Sequence, residues 1–205
     1  MFLAAAAGRG ATVSGLDASE RLVEIARRRV PAADVRVGDM ERLPFADDAF
    51  DVVAGFNAFF FADDMTAALR EAARVARPGA PVLIQVWGRP ERCELEAFKV
   101  ALGRLMPGPG RQAPPPFWRA GVLEDMASAA GLTPERTFDC RWAYEYADEP
   151  AMVRSMLAVA GAVVAARASG EERVRAAIVD ALEPCRTATG GYRIANEWHF
   201  LVARA

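Results

Sequence analysis

The sequence has a single lysine, Lys99, and a single histidine, His199, among its 205 residues. A metal site built from several histidines is therefore excluded. An enzyme that forms a Schiff base would have to use Lys99, and a catalytic triad would have to use His199. The cysteines Cys93, Cys140 and Cys185 lie far apart and form neither a C-x-x-C pair nor a zinc-binding spacing. We predict no metal site, and we interpret the cysteines as small buried thiols in a reducing compartment.

A strong net charge and a long apolar run are also absent. The net charge is −2, which argues against a protein that coats nucleic acid. The apolar stretch at residues 1–7 is too short for a transmembrane helix and lacks the basic residues of a signal peptide. Hydrophobic residues make up 53% and charged residues 25% of the chain, as in globular proteins. We predict a single cytoplasmic domain with neither a nucleic-acid nor a membrane partner.

Short β-like runs alternate with helical runs in the first half of the chain. Strands are predicted at 11–16, 35–37, 50–56 and 82–87, and helices at 19–30 and 63–76. The run 50–56 is apolar except for Asp51, which predicts a strand that is buried on both faces. This alternation is typical of βαβ units, so we predict an α/β fold with a doubly wound, mostly parallel sheet.

The second half is less regular. Helices are predicted at 91–106, 118–130, 150–168 and 171–186, strands at 137–146 and 192–203, and a Pro- and Gly-rich loop at 107–116. On the last strand, the alternation places Arg193, Glu197 and His199 on one face. Because its neighbours on that face are charged, we expect His199 to be a surface or partly exposed residue rather than a base.

The most specific stretch runs from Gly38 to Val53 and has the form G-D-M-E-x-L-P-F-x-D-D-x-F-D-V-V. It resembles the class I S-adenosylmethionine-dependent methyltransferases, in particular the large type 11-like group that acts on small molecules. The resemblance is clear over residues 3–87 and looser over 118–146 and 192–203. It implies a Rossmann-like sheet with an antiparallel closing strand, S-adenosylmethionine as cofactor, and methyl transfer to a small-molecule acceptor.

The same resemblance implies roles for individual residues. The residue matched by Asp39 binds the adenine amino group, and the one matched by Met40 packs against the adenine ring. The residue matched by Asp17, which is followed by Ala18, holds the ribose hydroxyls. Asn57 lies in a loop that borders cofactor and acceptor in this family. From the residues alone, the alternatives are that Asp17 is an acidic helix cap and Asp39 a turn residue.

Aromatic residues near predicted strand ends or in the inserted segments are candidates for an acceptor pocket: Phe60, Trp87, Trp118 and Tyr146. Aromatic residues of this kind more often pack in a protein core. We assign the methyltransferase core to residues 1–87, 118–146 and 191–205, and a helical cap to the insertions 88–117 and 147–190. We expect this cap to determine the choice of acceptor. The sequence indicates neither a catalytic base nor an oligomeric state.

Methyltransferases of this family begin with a strand and a glycine-rich G-x-G-x-G loop. Residues 1–7 are similar to the helix that follows that loop, so we expect the first strand and the loop to be missing here and cofactor binding to be impaired. One alternative is a non-catalytic binding or scaffold fragment. A nicotinamide-dependent oxidoreductase is a second, although the chain has no G-x-G-x-x-G, and Leu95 rather than a tyrosine lies four residues before Lys99.

Overall fold

The computed structural model describes residues 2–108 and 115–205. The predicted loop at 107–116 therefore lies largely outside the described residues. The strands are β1 (Ser14–Asp17), β2 (Asp34–Val37), β3 (Val53–Phe56), β4 (Pro81–Trp87), β5 (Thr133–Tyr146) and β6 (Tyr192–Arg204). The helices are α1 (Phe2–Ala7), α2 (Glu20–Arg29), α3 (Met65–Val75), α4 (Leu95–Gly103), α5 (Val122–Ala129), α6 (Glu149–Leu157), α7 (Ala160–Ser169) and α8 (Glu171–Leu182). Short 3₁₀ turns occupy Phe59–Phe61, Pro90–Arg92 and Glu183–Cys185.

The helices α2 and α3 begin at side chains that cap their first turns. The Ser19 hydroxyl accepts a bond from the Leu22 amide at 3.4 Å, before α2. Asp64 Oδ1 accepts bonds from the amides of Thr66 and Ala67 at 2.9 and 3.0 Å, before α3. Such caps satisfy the otherwise unpaired amides of the first turn. The helices predicted over 19–30 and 63–76 are therefore confirmed, with ends shifted by a residue or two.

The parallel strands form two separate ladders among the described residues. β1 pairs with β2, with Asp17 opposite Val37, and β3 pairs with β4, with Phe56 opposite Gln85. The second sheet has the strand order β3-β4-β6-β5. β1 and β3 are not paired with each other in the described part of the chain, so the parallel strands do not form one continuous sheet.

The closing strand β6 runs antiparallel to β4, as predicted. The Gly79 amide donates to the carbonyl of Ala205 at 2.8 Å, and the Gly88 amide donates to the carbonyl of Glu197 at 2.9 Å. Because the later residue of one strand meets the earlier residue of the other, the two strands run in opposite directions. The predicted α/β class with an antiparallel closing strand is confirmed.

The chain divides into two compact units. Unit 1 comprises Met1–Gln85, Ala120–Thr137 and Leu201–Ala205, and unit 2 comprises Val86–Arg119 and Phe138–Phe200. The apolar core of unit 2 draws on α4, α6, α7, α8 and the start of β6, with Phe98, Met152, Ala162, Ile178 and Ile194 as members. Side chains of both predicted insertions thus pack in one core. Their assignment as a cap over a methyltransferase core stays a prediction.

The prediction that the strand at 50–56 is buried on both faces is wrong. The ladder begins only at Val53, and Val52 and Phe56 are 54% and 40% exposed. A fully buried strand needs neighbours that cover it, whereas β3 is paired on one side only among the described residues. The ring of Phe2 on α1 lies 4.8 Å from that of Phe56 and gives it partial cover.

The predicted helices at 150–168 and 118–130 also differ from the structure. The first is two helices, α6 and α7, joined at 88°, because Val159 is extended with φ −70° and ψ 136°. The second begins only at Val122, because Gly121 precedes it in the left-handed region at φ 87°. No single described helix is long and apolar enough to span a membrane, although α6 and α7 pass that test when joined across their bend.

Candidate functional site

Three of the predicted cofactor residues lie at the carboxyl ends of parallel strands in unit 1. Asp17 is the last residue of β1, Asp39 lies two residues beyond β2, and Asn57 directly follows β3. Because Asp17 is opposite Val37 in the ladder, Asp17 and Asp39 lie at the same edge of adjacent strands. In open α/β sheets this edge is where ligands bind.

Asp17 and Asp39 use one carboxylate oxygen in the same local way. Asp17 Oδ1 accepts a bond from the Ser19 amide at 2.8 Å, and Asp39 Oδ1 accepts one from the Glu41 amide at 2.9 Å. Both carboxylates thus act as turn or cap residues, which is the alternative that the sequence offered for Asp17 and Asp39. Within the described ranges the second oxygen of each carboxylate has no protein partner, and it remains an acceptor for hydroxyl or amino groups.

The other residues predicted to bind cofactor lie beside these carboxylates. Ala18 is exposed after Asp17, and Met40 is half-buried after Asp39. Asn57 has φ 49°, a left-handed conformation that is uncommon outside glycine. Its amide donates to the Gln85 carbonyl at 3.0 Å.

The buried side chain of Gln85 also contacts this region and was missed in the sequence. Its Nε2 lies 3.4 Å from the side-chain oxygen of Asn57, and the residue is only 4% exposed. The available signal was a polar residue in the otherwise apolar run Val82–Trp87, directly before the carboxyl end of a predicted strand. Such a buried amide normally has a hydrogen-bonding role.

The segment after Asp39 is held by side chains of α3, which sequence reasoning also missed. Glu71 Oε2 accepts the Leu43 amide at 2.8 Å, and Arg74 donates to the Leu43 carbonyl at 3.0 Å. The hydrogen-bonded Arg74 guanidinium is the main cause that lowers the pKa of Glu71, and the Leu43 amide lowers it further. These contacts fix the chain just beyond Asp39 and Met40.

The four aromatic candidates for an acceptor pocket are not brought together within one unit. Phe60 is half-buried in unit 1, where its ring lies 4.6 Å from that of Phe61. The other candidates are half-buried in unit 2: Trp87, Trp118 and Tyr146. Trp87 and Tyr146 pack against the apolar core of that unit, which agrees with the alternative that these aromatic residues are core residues. Their role toward an acceptor stays a prediction.

The expectation that His199 is a surface or partly exposed residue is wrong. The residue is 7% exposed, and its Nδ1 lies 2.6 Å from Oδ1 of Asp139 on β5. The alternation of β6 predicts which residues share this face, but it does not show that the face is buried or that Asp139 of the neighbouring strand β5 lies beside His199. Glu197 on the same face is fully buried and accepts a bond from Arg92 at 2.9 Å.

The thiols agree only in part with the prediction of buried cysteines. All three cysteines are free, and Cys93 is buried. Cys140 and Cys185 are half-buried, so the prediction is wrong for these two. Cys185 Sγ lies 3.6 Å from a carboxylate oxygen of Glu94.

Comparison with known proteins identifies the N-terminal part. Residues 1–84 match the family model of the methyltransferase domain. Residues 1–84 thus carry the features of a methyltransferase domain. The match includes every predicted cofactor residue, and the cofactor of this domain class is S-adenosylmethionine.

The chain is similar to two curated proteins over part of their length. It is 36% identical to a malonyl-[acyl-carrier protein] O-methyltransferase of Erwinia pyrifoliae over 98 residues, which are 48% of this chain and 37% of that protein. It is 41% identical to a demethylmenaquinone methyltransferase of Chlorobaculum parvum over 71 residues, which are 34% of this chain and 29% of that protein. These matches thus span about a third of the two relatives.

The fold of the chain is also seen in solved structures. A Bacillus halodurans protein assigned to the methyltransferases superposes with a TM-score of 0.59. The superposition covers 95% of this chain and 83% of that protein at 17% sequence identity. At this identity the likeness establishes the Rossmann-like fold, and function has to be argued from the site.

Proposed function

We propose that this protein transfers a methyl group from S-adenosylmethionine to a small-molecule nucleophile. The observation that carries the proposal is the pair of carboxylates, Asp17 and Asp39, at adjacent carboxyl ends of parallel strands. Each has one oxygen fixed by a backbone amide and the other without a protein partner within the described residues. Two such acceptors suit a ligand that presents a ribose diol and an exocyclic amine.

The residues of the site have distinct parts in this proposal. The second oxygen of Asp17, beside Ala18, accepts bonds from the ribose hydroxyls, and that of Asp39 accepts one from the adenine amino group. The half-buried Met40 packs against the adenine ring. Asn57, whose side-chain oxygen lies 3.4 Å from Gln85 Nε2, contacts the cofactor from its position directly after β3.

The chain's own contribution to the reaction is alignment. S-adenosylmethionine, when bound, supplies an electrophilic methyl carbon on a sulfonium sulfur. The carboxylates and Met40 fix the nucleoside, and holding two reactants in line is worth several kcal/mol, up to about 7–11 in favourable cases. Apolar side chains such as Phe60 exclude water from the transfer path.

The acceptor belongs to the same proposal. The names of the two curated relatives give different acceptors, a malonyl group on a carrier protein and a demethylmenaquinone, so they do not specify one here. Phe60 in unit 1, and separately Trp87, Trp118 and Tyr146 in unit 2, stay our candidates for acceptor contacts, since aromatic faces suit an apolar small molecule. We place the protein in the cytoplasm, with neither a nucleic-acid nor a membrane partner.

Calorimetric titration with S-adenosylhomocysteine tests the proposal. Asp17→Ala and Asp39→Ala are each expected to weaken binding by about 1.5–3 kcal/mol, the scale for hydrogen bonds to charged groups. Asp180→Ala, which removes an exposed carboxylate from α8, is the control and is expected to bind like the wild type. Wild-type affinity in both site variants would overturn the assignment.

The two alternative functions give different titrations. Binding of NADH without binding of S-adenosylhomocysteine would favour the oxidoreductase. Binding of neither ligand by the wild type would favour the non-catalytic scaffold.

A further inference from the structure

The side chains of Glu71 and Arg74 form a paired unit on α3. Arg74 Nε lies 2.7 Å from Glu71 Oε1, and Arg74 Nη2 lies 2.7 Å from Glu71 Oε2. Two parallel bonds between a guanidinium and a carboxylate fix both planar groups relative to each other. The pair therefore presents the remaining donors of Arg74 in a defined direction.

Those donors bind the segment that follows Met40. We call this segment, residues 41–47, the clasped segment. Arg74 Nη2 donates to the Leu43 carbonyl at 3.0 Å, and Nη1 donates to the Phe45 carbonyl at 2.9 Å. Nη1 also lies 2.6 Å from Oδ1 of Asp47. Glu71 accepts the Leu43 amide at 2.8 Å, so both backbone polar groups of Leu43 are bound by α3.

A second tie holds the start of the clasped segment. Glu41 Oε1 accepts the amides of Asp63 and Asp64, at 2.6 and 3.0 Å, just before α3. The helix itself is firmly anchored, because Ala68, Leu69 and Ala72 on its inner face are fully buried. The clasped segment is thus tied at its start to the residues just before α3 and further along to α3 itself.

We propose that Arg74 is a positioning residue for adenine recognition, acting through the clasped segment on Asp39 and Met40. The proposal rests on the proposed function, since it assumes that Asp39 binds the adenine amino group. Arg74 touches neither Asp39 nor Met40 in the contacts described above. Arg74 instead holds the clasped segment, which directly follows these two residues. The orientation of the second carboxylate oxygen of Asp39 is thereby maintained.

Base discrimination is the readout that separates positioning from simple stabilisation. Hypoxanthine has a carbonyl oxygen where adenine has the amino group, so the exocyclic donor that Asp39 is proposed to bind is replaced by an acceptor. The wild type is expected to bind S-adenosylhomocysteine at least about tenfold more tightly than S-inosylhomocysteine. A site that hydrogen-bonds the amino group binds an analogue without that group more weakly, because its own acceptor is left unpaired. A purely structural role of Arg74 would change both affinities alike.

The experiment measures both dissociation constants and the melting temperature for the full chain. Arg74→Met is expected to weaken S-adenosylhomocysteine binding by about tenfold and S-inosylhomocysteine binding by less than about threefold, so that discrimination is lost. Arg74→Lys keeps the charge but cannot bridge both carbonyls and the carboxylate, and it is expected to lose discrimination as well. Arg70→Met, which removes an exposed charge from the same helix, is the matched control and is expected to retain it.

Equal loss of both affinities in Arg74→Met, or full discrimination in Arg74→Lys, would overturn the inference and leave the proposed function intact. Absence of S-adenosylhomocysteine binding by the wild type would overturn the proposed function, and the inference with it. If the melting curve shows that Arg74→Met does not fold, Glu71→Ala carries the test. It removes the acceptor of the Leu43 amide and is expected to reduce discrimination in the same direction.

Discussion

His199 on β6 and Asp139 on the neighbouring strand β5 form a pair in which the imidazole is buried and the carboxylate is partly exposed, with Nδ1 of the imidazole 2.6 Å from Oδ1 of Asp139. A guanidinium nitrogen of Arg89 lies 3.6 Å from the other oxygen of Asp139. The imidazole is almost fully covered, and its Nε2 has no partner among the described residues. Asp139 is therefore the main polar partner of a buried ring.

Removal of that partner is expected to cost stability. Asp139→Ala leaves the buried Nδ1 unsatisfied and is predicted to lower the free energy of unfolding by about 1–3 kcal/mol. Urea denaturation measures the change. Glu135→Ala on the same strand is the control, since its ion pair with Arg204 is 45% exposed on both sides and is worth at most about 1 kcal/mol. Equal losses of unfolding free energy in the two variants would contradict a special role for the pair of His199 and Asp139.

The backbone of Asn57 predicts a difference between two small substitutions. Asn57→Gly and Asn57→Ala both remove the side chain, but only alanine is strained at φ 49°. We expect Asn57→Ala to be less stable than Asn57→Gly by about 1–2 kcal/mol, the cost of the left-handed region for a residue with a Cβ. The same comparison at Asp48, where φ is 55°, is expected to agree. Thermal unfolding of all four variants checks this, and equal stabilities would refute it.

Gly55 is required because the ring of Phe59 lies against its backbone. A Cβ added there would lie 2.6 Å from Cδ2 of that ring and closer still to Cε2. Gly55→Ala is expected to lower the free energy of unfolding by about 1–3 kcal/mol, as overpacking does. The double variant Gly55→Ala, Phe59→Leu is expected to recover part of the loss, which a double-mutant cycle measures.

A matched control for this glycine lies at the end of α4. A Cβ at Gly103 would have nothing within 4 Å, so Gly103→Ala is expected to gain up to about 1 kcal/mol from helix propensity. If Gly55→Ala behaved in the same way, close packing of Phe59 would not be the reason for glycine at position 55.

Cys185 is expected to react slowly with alkylating agents. Burial first, and then the charge and hydrogen bond of Glu94, raise the pKa of its thiol to about 11. Since the thiolate is the reactive form, its alkylation rate is expected to rise about tenfold per pH step from 8 to 10. The rate of iodoacetamide modification, followed by mass spectrometry in a Cys93→Ser, Cys140→Ser background, measures this.

A substitution of Glu94 tests whether this carboxylate contributes to the raised pKa of the Cys185 thiol. Glu94→Gln removes the negative charge beside the sulfur and is expected to lower the thiol pKa and raise the rate at pH 8. An unchanged rate would show that burial alone controls the thiol.

Local signals in the sequence determined much of unit 1. Ser19 and Asp64 cap the helices that were predicted at 19–30 and 63–76. Such a cap can be predicted from the sequence because it depends only on residues a few places away. The motif from Gly38 to Val53 predicted the domain class and, through that resemblance, cofactor contacts for Asp39 within it and for Asp17 before it. The alternation of strands and helices was sufficient for the α/β class, because periodicity reports which face of an element is apolar.

Only the tertiary structure decided which distant segments meet. No periodic signal shows that Glu71 and Arg74 bind a segment about thirty residues earlier, that Asp139 lies beside His199, or that the parallel strands form separate ladders. The bend between α6 and α7 lies at Ala158 and Val159, where no glycine or proline marks it. In each case the deciding interaction joins residues far apart in the chain or depends on the core that forms around them, and a local pattern carries no information about either.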